Sequence, residues 1–282
     1  MVQSSIVNRK IPFVACNSKM KNLIVLLWQY FGQYAKTRLA YKTDFFVACF
    51  SSILATVAGY GFVLVLFTRI PHLKGWSFEE VLFVYGFSLI PMGLFNIVSL
   101  NLYEFGDAYI IDGKFDRVLL RPVPSLFQIL FETFRLESLQ EVVTGFLAVG
   151  YCSMKLDIPW NVANMLLFPV LILCGAVIYV FVFVIISSVN FWVEDRIGIA
   201  PPVYNMIAFG RYPVTIYNVF IQFILNWIIP FAFASFYPTV RFLGRKEFMN
   251  HFYLIPVVTG TMVVLGMLVW QRGVREYKST GS

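Results

Sequence analysis

The stretch that decides the fold runs from Val162 to Val189 and reads VANMLLFPVLILCGAVIYVFVFVIISSV. It contains no charged side chain. An α-helix needs about 20 apolar residues to cross the hydrocarbon core of a bilayer, and a longer run can cross it with a tilt. The stretch therefore predicts a tilted transmembrane helix.

The rest of the chain has the composition of a membrane protein as well. Of its 282 residues, 59% are hydrophobic and only 13% are charged, whereas a soluble domain carries about 25% charged residues. A soluble fold of this size needs far more charge on its surface. An ordinary soluble enzyme is therefore excluded, as are a disordered chain and a disulfide scaffold. The fold class that remains is an all-α membrane protein with several spans.

Six apolar runs predict six transmembrane helices in a domain of residues 44–282. We place them at about residues 45–67, 81–103, 130–152, 162–189, 216–237 and 252–270. The second follows Ser77-Phe78-Glu79-Glu80, which has the S-x-x-E form of a capping box. The third is less regular, because residues 125–152 carry four charged side chains, and Pro230 interrupts the fifth.

The segment in front of the first span has a different pattern. Residues 20–43 read MKNLIVLLWQYFGQYAKTRLAYKT, in which apolar and aromatic residues alternate with Lys and Arg at roughly helical spacing. This pattern predicts an amphipathic helix on the inner leaflet of the membrane; the alternative is a surface anchor with no further role. Residues 1–19 are expected to form a loosely ordered extension.

The distribution of Lys and Arg predicts the orientation. An even number of spans places both termini on one side of the membrane. Sixteen of the 22 Lys and Arg residues, including Arg211, fall on that side, and six fall on the other. Because positive charge accumulates in cytoplasmic loops, both termini are expected in the cytoplasm.

The loop after the second span contains a short segment with charged and apolar faces, EFGDAYIIDGKFDRVLLRPVP at 104–124. Gly113 allows a turn, and two prolines end any helix. Such a segment suits docking onto another protein, and the alternative is a solvated connector. The docking candidates are Ile110, Ile111, Lys114, Phe115, Asp116, Arg117 and Leu119, with Glu194, Asp195 and Arg196 of a later loop as a second element.

Glu132 and Arg135 lie on one face of the predicted third helix. Charges at bilayer depth are costly unless they are paired or hydrated. Our interpretation is that this helix starts in the cytoplasm and enters the membrane around Leu139, so that the two residues form an interfacial pair. The alternative is a charged gate along a substrate path.

Small and polar side chains recur inside three of the spans. Ser51, Ala55 and Gly59 recur every fourth residue and would let another helix approach closely. That helix belongs either to a second subunit or to this chain. The polar side chains are Asn96 and Ser99 in the second span and Gln222 and Asn226 in the fifth. Since hydrocarbon offers them no partners, they should face protein or a cavity.

No catalytic or metal-binding motif is found in the sequence. GxxxxGK(S/T), HExxH, GxSxG and CxxC do not occur, and the two His and four Cys residues are too scattered to suggest a metal cluster. The chain is therefore expected not to be an enzyme, and to bind neither a metal nor a cofactor of its own.

Several short motifs resemble the permease subunits of type-2 ATP-binding-cassette exporters, and most closely a bacterial subfamily of short six-span permeases often encoded in pairs. The motifs are WSFEEVL at 76–82, GKFDRVLLRP at 113–122, RYP at 211–213, IPFA at 229–232 and FYP at 236–238. The second of them is the most specific. The resemblance covers most of the chain from Met20 onward.

The resemblance implies a permease in the bacterial plasma membrane. Residues 20–43 would be its elbow helix, and the loop at 104–124 would contact two copies of a separate P-loop ATPase, which bind ATP and Mg²⁺. A second permease chain, identical or related, would complete the substrate path. The small and polar residues of spans one, two and five would line that path or the dimer interface; the alternative is that they only hold helices together. No nucleic-acid partner is expected. The other functions considered are an ion-gradient-driven transporter and a membrane scaffold.

Overall fold

The computed structural model describes residue 32 and residues 42–193 and 198–279. The predicted N-terminal extension and nearly all of the predicted elbow helix lie outside the described residues, as do Glu194, Asp195 and Arg196. The described part of the chain is helical, and the β pairing within it is an isolated bridge between Leu73 and Trp76.

The described ranges contain twelve α-helices joined by short turns. They are α1 (Lys42–Arg69), α2 (Phe78–Val98), α3 (Leu100–Tyr103), α4 (Lys114–Leu119), α5 (Ser125–Phe131), α6 (Leu139–Lys155), α7 (Val162–Ser188), α8 (Ala200–Gly210), α9 (Val219–Phe223), α10 (Phe231–Ala234), α11 (Phe236–Val240) and α12 (Met249–Glu276). Two π-helical segments (Phe105–Ile111 and Ile224–Ile228) and four 3₁₀ turns (Leu136–Ser138, Val189–Phe191, Val214–Ile216 and Lys246–Phe248) complete the helical part.

Four helical segments are long and apolar enough to cross a membrane: Thr43–Arg69, Phe78–Val98, Val162–Phe191 and Lys246–Glu276. They correspond to the first, second, fourth and sixth predicted spans. The chain is therefore a multi-pass α-helical membrane protein.

The bundle has two ends, which we name by what lies there. The hairpin end holds the turn between α1 and α2, and the terminal end holds the start of α1 and the end of α12. α12 begins at the hairpin end, where Phe248 stacks on Trp76 with ring centroids 6.2 Å apart. It finishes at the terminal end, where the Ser279 hydroxyl donates to Asp116 at 2.6 Å.

α2 is the centre of the fold. Every residue from Val81 to Gly93 is buried. The most apolar stretch of α2 is 78% buried inside the chain, against 11% in α1. α2 is enclosed chiefly by α6 and α7, and α12 packs on the far side of α7. In a bilayer, such packing depends on close van der Waals contact rather than on exclusion of water.

Two glycines set the distance between α2 and α6. A Cβ on Gly145 would lie 2.7 Å from the carbonyl oxygen of Gly86 and 2.7 Å from Cγ1 of Ile90. A Cβ on Gly86 would lie 2.7 Å from Cβ of Ala148. The two backbones thus touch directly, as they do where small residues face each other between transmembrane helices.

The third predicted span differs from the expectation in its first part. The sequence pattern predicts helix from about residue 130, but α5 ends at Phe131 and α6 begins only at Leu139. The backbone between them is held by α2, because the amide of Arg135 donates to the carbonyl of Ile97 at 2.9 Å. The break keeps the Arg135 charge out of the long helix, where burial in hydrocarbon would be costly.

The fifth predicted span, residues 216–237, is not one helix. α9 and Ile224–Ile228 form a first arm, the backbone turns at Ile229 and Pro230, and α10 and α11 form a second arm. Pro230 explains the break, since proline has no amide hydrogen to donate and disfavours a helical conformation in the residue before it. The first arm is largely exposed and the second is wholly buried. We call these two arms the broken hairpin.

The residues just before and just after the broken hairpin both lie at the hairpin end of the bundle. Before it, the Trp76 indole donates to the Thr215 hydroxyl at 2.8 Å. After it, Phe242 packs against Phe83, near the start of α2, with ring centroids 6.3 Å apart. The broken hairpin therefore enters the bundle and returns at the same end.

α8 provides the passage from one end of the bundle to the other. Its start lies at the terminal end, where residues 198–201 and 102–107 contribute to one cavity of about 100 Å³. Thr215, five residues after α8, is already bound at the hairpin end. The chain thus traverses the bundle between residues 200 and 215, upstream of the segment that the sequence pattern predicts as the fifth span.

Arg245 ties two turns together at the hairpin end. Its Nε and Nη2 donate to the Glu80 carboxylate at 2.9 and 2.7 Å, and Nη2 also donates to the Gly75 carbonyl at 2.9 Å. Its guanidinium lies over the Trp76 ring, 4.4 Å from the ring centre. The hydrogen bonds to Glu80 raise the pKa of Arg245 above its ordinary value. We call this arrangement the Arg245 clamp.

We predict that replacing Gly145 with Ala destabilises the protein, because the new methyl group meets the α2 backbone. Overpacking of this kind typically costs about 1–3 kcal/mol. Gly150→Ala is the matched control on the same helix, since a Cβ there meets nothing within 4 Å and Ala favours helix over Gly by up to about 1 kcal/mol. Thermal unfolding of both variants in one detergent measures the difference. Equal melting temperatures would contradict direct backbone contact between α2 and α6.

Candidate functional site

The loop at the terminal end is built around the short helix α4. The π-helical segment Phe105–Ile111 follows α3, and Gly113 then turns the chain with a φ of 69°. Glycine suits this place because a left-handed φ strains any residue that has a Cβ. α4 follows at once and lies against the end of the bundle.

Phe115 anchors α4 to the bundle. Its side chain is fully buried. Its ring centroid lies 4.9 Å from that of Tyr277, 5.2 Å from Phe191, 5.8 Å from Phe105 and 6.3 Å from Trp270. Aromatic pairs at such distances contribute about 0.5–1.5 kcal/mol each beyond their burial. The five rings, which we call the Phe115 cluster, join α4 to the ends of α7 and α12.

The outward side of the same loop is apolar with basic residues around it. Leu120 is 84% exposed and Leu119 is 44% exposed, and the side chains of Lys114 and Arg117 are exposed beside them. Leucines that project from an end of a membrane protein are typical of a contact surface. We call these four residues the docking face.

The predicted docking residues divide into an exposed set and a buried set. Lys114, Arg117 and Leu119 belong to the docking face, whereas Ile110 is 4% exposed and Phe115 is 0% exposed. The buried pair positions the loop and does not form its surface. Ile111 and Asp116 are partly exposed, and Asp116 accepts the hydrogen bond from Ser279 after α12.

The backbone after α4 is held by a buried amide. Gln128 of α5 is fully buried, and its Nε2 donates to the carbonyls of Val118 and Val123 at 3.1 and 2.8 Å. These bonds pin both sides of the turn that carries Leu119 and Leu120. The docking face is therefore presented by a fixed loop.

Glu132 contacts this loop and is not paired with Arg135. The Tyr109 hydroxyl donates to Glu132 at 3.0 Å, and Nη1 of Arg121 lies 3.9 Å from its carboxylate. Because the helix is interrupted between α5 and α6, Glu132 and Arg135 do not share a helical face. Glu132 ties α5 to the loop, and Arg135 is anchored through its backbone.

A second candidate site lies inside the bundle, between α2, α6 and α8. The Asn96 amide donates to the Glu141 carboxylate at 2.8 Å, and the Tyr204 hydroxyl donates to Asn96 Oδ1 at 3.2 Å. Asn96 is 2% exposed. Ionisable and amide side chains inside spanning helices are costly and often mark functional positions.

Arg211 carries a positive charge into the same region. It caps the C-terminus of α8, and its Nη1 lies 3.5 Å from the Tyr85 hydroxyl. Its Nη2 lies 3.3 Å from the sulfur of Met92. Tyr85 and Met92 are buried residues in the interior of α2. We call Tyr85, Asn96, Glu141, Tyr204 and Arg211 the polar cluster.

The predicted small-residue stripe of α1 is split between two faces. Ser51 and Ala55 are exposed. Gly59 faces inward and packs so closely against the Tyr85 hydroxyl that no Cβ would fit. An absent side chain on α1 therefore makes room for the phenol that contacts Arg211.

The contact between α1 and α6 is made by neighbouring polar residues. The Gln140 amide of α6 donates to the Ser52 and Thr56 hydroxyls at 2.7 and 3.3 Å. Thr56 also donates to the carbonyl of Ser52 at 3.0 Å. These bonds attach α1 to the bundle on one side and leave its opposite face exposed.

Three of the four polar residues predicted to line a path have side-chain hydrogen-bond partners within the chain, and the fourth, Ser99, is buried. Asn96 belongs to the polar cluster, and Ser99 is buried at the C-cap of α2. In the broken hairpin, Gln222 donates to the Tyr217 carbonyl at 3.0 Å, and Asn226 accepts from the Tyr237 hydroxyl at 3.1 Å.

Four members of the polar cluster, Tyr85, Glu141, Tyr204 and Arg211, were not predicted as site residues. Arg211 follows the pattern of a basic residue next to an apolar run, so the charge distribution places it in the cytoplasm. Glu141 has no His nearby in sequence to suggest a site, and Tyr204 lies in a stretch taken for a loop. Leu120 lies within the loop at 104–124 that the sequence predicts to dock. The signal that was available is the RYP motif at 211–213.

Apolar spanning helices, a polar cluster inside them and an anchored loop with an apolar docking face are features of a membrane transport protein. A family described as ABC-2 family transporter protein matches residues 53–281. The chain belongs to this family and is a membrane permease of an ABC transporter. No curated protein and no solved structure matches it. The resemblance noted in the sequence is thus confirmed.

We predict that Phe115→Ala is strongly destabilising and that Leu120→Ala is not. Removing a buried phenyl ring typically costs about 3–5 kcal/mol, whereas truncating a side chain that is 84% exposed should change stability by less than about 0.5 kcal/mol. Thermal unfolding of the two purified variants checks the contrast. A stable Phe115→Ala variant would show that the Phe115 cluster does not hold α4.

Proposed function

We propose that the chain is the permease subunit of an ATP-driven exporter, coupled to separate ATPase subunits. The observation that carries the proposal is the docking face, in a chain that belongs to the ABC-2 transporter family. Two exposed leucines with two basic residues beside them offer apolar area and charge to an acidic-rimmed groove on a partner. The Phe115 cluster and Gln128 hold this surface rigidly enough to transmit movement.

ATP chemistry belongs to the partner in this proposal. The sequence has no GxxxxGK(S/T) motif to cradle phosphates. Two copies of a P-loop ATPase would bind ATP and Mg²⁺, and each would contact one permease through its docking face. Movement of α4 would then pass through the rings of the Phe115 cluster to the ends of α7 and α12.

The chain would cross the membrane six times. The fifth crossing would be made by residues 200–216 and not by the predicted span at 216–237. α1, α2, the α5–α6 segment, α7, residues 200–216 and α12 each run from one end of the bundle to the other. The broken hairpin would dip into the membrane from outside and return. The terminal end would face the cytoplasm of a bacterial cell, since most Lys and Arg residues still lie on that side after Arg211 is set apart.

A second permease chain, identical or related, would cover α1. The most apolar stretch of α1 is only 11% buried, and Phe46, Phe50, Leu54 and Val57 are each more than half exposed. Ser51 and Ala55 lie on this uncovered side and would allow close approach of a partner helix. The polar cluster behind α1 would then lie next to the interface between the two permeases.

We predict that the double variant Leu119→Asp, Leu120→Asp folds but loses its ATPase partner. The substitutions put two unpaired charges into an apolar contact, so co-purification of the ATPase should fall by about tenfold or more. The measurement is a pull-down of the tagged permease complex from its native host.

Ile70→Asp is the matched control for this experiment. Ile70 is apolar, 39% exposed and located at the hairpin end, so the same new charge there should leave assembly unchanged. Full ATPase recovery with the double variant would overturn the docking assignment. Loss of ATPase with both variants would indicate a general effect of added charge.

We predict that a single cysteine at Val219 is labelled from outside the cell by a membrane-impermeant maleimide. Val219 starts the broken hairpin and is 82% exposed. A spanning helix over 216–237 would instead place it on the cytoplasmic side. Lys246→Cys and Lys114→Cys are the outside and inside controls under either arrangement. Protection of position 219 with normal controls would restore the single-span arrangement.

A further inference from the structure

Arg211 is a poorly satisfied charge within the described part of the bundle. Its two terminal nitrogens contact the Tyr85 hydroxyl at 3.5 Å and the Met92 sulfur at 3.3 Å. The first distance is long for a hydrogen bond, and a thioether sulfur is a weak acceptor. Its Nε is buried and has no hydrogen-bond partner. A guanidinium has five N–H groups, so most of its donating capacity is unused.

The described residues contain no carboxylate within 4.0 Å of Arg211. Glu141 is near enough to attract it electrostatically, but that carboxylate accepts the hydrogen bond from Asn96. Among the described residues, therefore, no carboxylate pairs with Arg211. An unpaired charge at this depth is costly, and a bound anion would satisfy it.

The surroundings of Arg211 suit a ligand in which a polar head group is joined to an apolar tail. The rings of Tyr60 and Tyr212 lie on two sides of Tyr85, with centroid distances of 4.8 and 6.0 Å. Phe62 of α1 packs against Tyr212 at 6.4 Å. Aromatic rings that carry hydroxyl groups lie around the charge, and Arg211 itself is partly exposed.

We propose that Arg211 binds the anionic head group, a phosphate or a carboxylate, of an amphiphile whose apolar tail lies beside α1, at the interface with the second permease chain. A planar guanidinium binds such oxyanions through two parallel hydrogen bonds. Taken with the proposed function, this makes Arg211 the residue that selects anionic amphiphiles for export. The Tyr85 ring orients the guanidinium, and Gly59 leaves the space that Tyr85 occupies.

The test measures binding of three amphiphiles with the same tail to the full-length permease in nanodiscs of neutral phosphatidylcholine. The probes are dodecyl phosphate, dodecyltrimethylammonium and dodecyl maltoside. Dodecyl phosphate should bind most tightly. Arg211→Gln, which keeps a polar side chain but removes the charge, should weaken its binding by about tenfold or more and leave the other two probes unchanged. Arg211→Lys should give an intermediate loss of affinity, because lysine keeps the positive charge but lacks the planar guanidinium that forms two parallel hydrogen bonds.

Arg241→Gln is the matched control, since Arg241 is an exposed arginine at the hairpin end. It should bind dodecyl phosphate as the unchanged protein does. Equal affinity for the phosphate and the ammonium probe, or full phosphate binding by Arg211→Gln, would overturn the proposal. Loss of dodecyl maltoside binding would show that Arg211→Gln is misfolded. Arg211→Lys would then carry the comparison.

Repeating the measurement in nanodiscs that contain phosphatidylglycerol separates two sources of the anion. If Arg211 serves a transported amphiphile, the protein should bind dodecyl phosphate with nearly the same affinity in the presence of phosphatidylglycerol. If it serves a bilayer phospholipid, the anionic lipid abolishes dodecyl phosphate binding, which overturns the assignment to substrate selection. Because binding needs no ATPase, this result is independent of the docking experiment: failure of either leaves the other standing.

Discussion

The fold depends on direct backbone contact between α2 and α6. Lipid tails are as apolar as leucine, so apolar side chains gain nothing by leaving lipid for another helix. Close approach of the two helix backbones instead gains dispersion energy along the length of their contact. Gly86 and Gly145 permit that approach, and α2 thereby becomes a helix enclosed by protein, while α1 and the first arm of the broken hairpin remain at the periphery.

The enclosed position of α2 explains where the polar groups lie. A side chain on a helix that faces lipid cannot be polar at bilayer depth without a large cost. A helix surrounded by protein can carry Asn96, because neighbouring helices supply Glu141 and Tyr204 as partners, and it can receive Arg211, which contacts the helix's own Tyr85. α3, the π-helical segment and α4 follow α2 in the chain, so the interior site and the docking face are built on consecutive elements.

The sequence predicted four spans well and the other two incompletely, for identifiable reasons. Continuous apolar runs such as 162–189 have one stable solution in a bilayer, and α7 begins at the predicted residue. The third span fails near Glu132 because the backbone of Arg135 finds a partner on α2, which a local pattern cannot reveal. The fifth fails because Pro230 splits an apolar run into two arms, and apolar content alone does not distinguish a crossing from a return.

The candidate sites divide in the same way. The loop at 104–124 was predicted as a docking candidate from local features, namely Gly113, two prolines and alternating charged and apolar residues, and its docking stays a prediction. Which of its side chains point inward was not predicted, because Phe115 is buried by rings as distant in sequence as Trp270 and Tyr277. The polar cluster draws residues from three separate helices, and no local pattern brings Asn96, Glu141 and Tyr204 together.

The Arg245 clamp has a consequence for the biosynthesis of the chain. Glu80 and Arg245 are 165 residues apart, and a ribosome adds about 5–20 residues per second. Glu80 must therefore wait on the order of 10 s after its own helix is inserted before its partner emerges. During that interval the turn between α1 and α2 is held by contacts that form earlier, among them the bridge between Leu73 and Trp76, the Ser77 cap and, once residue 215 has been made, the bond from Trp76 to Thr215. Closure of the clamp follows the synthesis of every described α-helix except α12, which begins at Met249. The clamp therefore distinguishes a nearly complete chain from one truncated before residue 245.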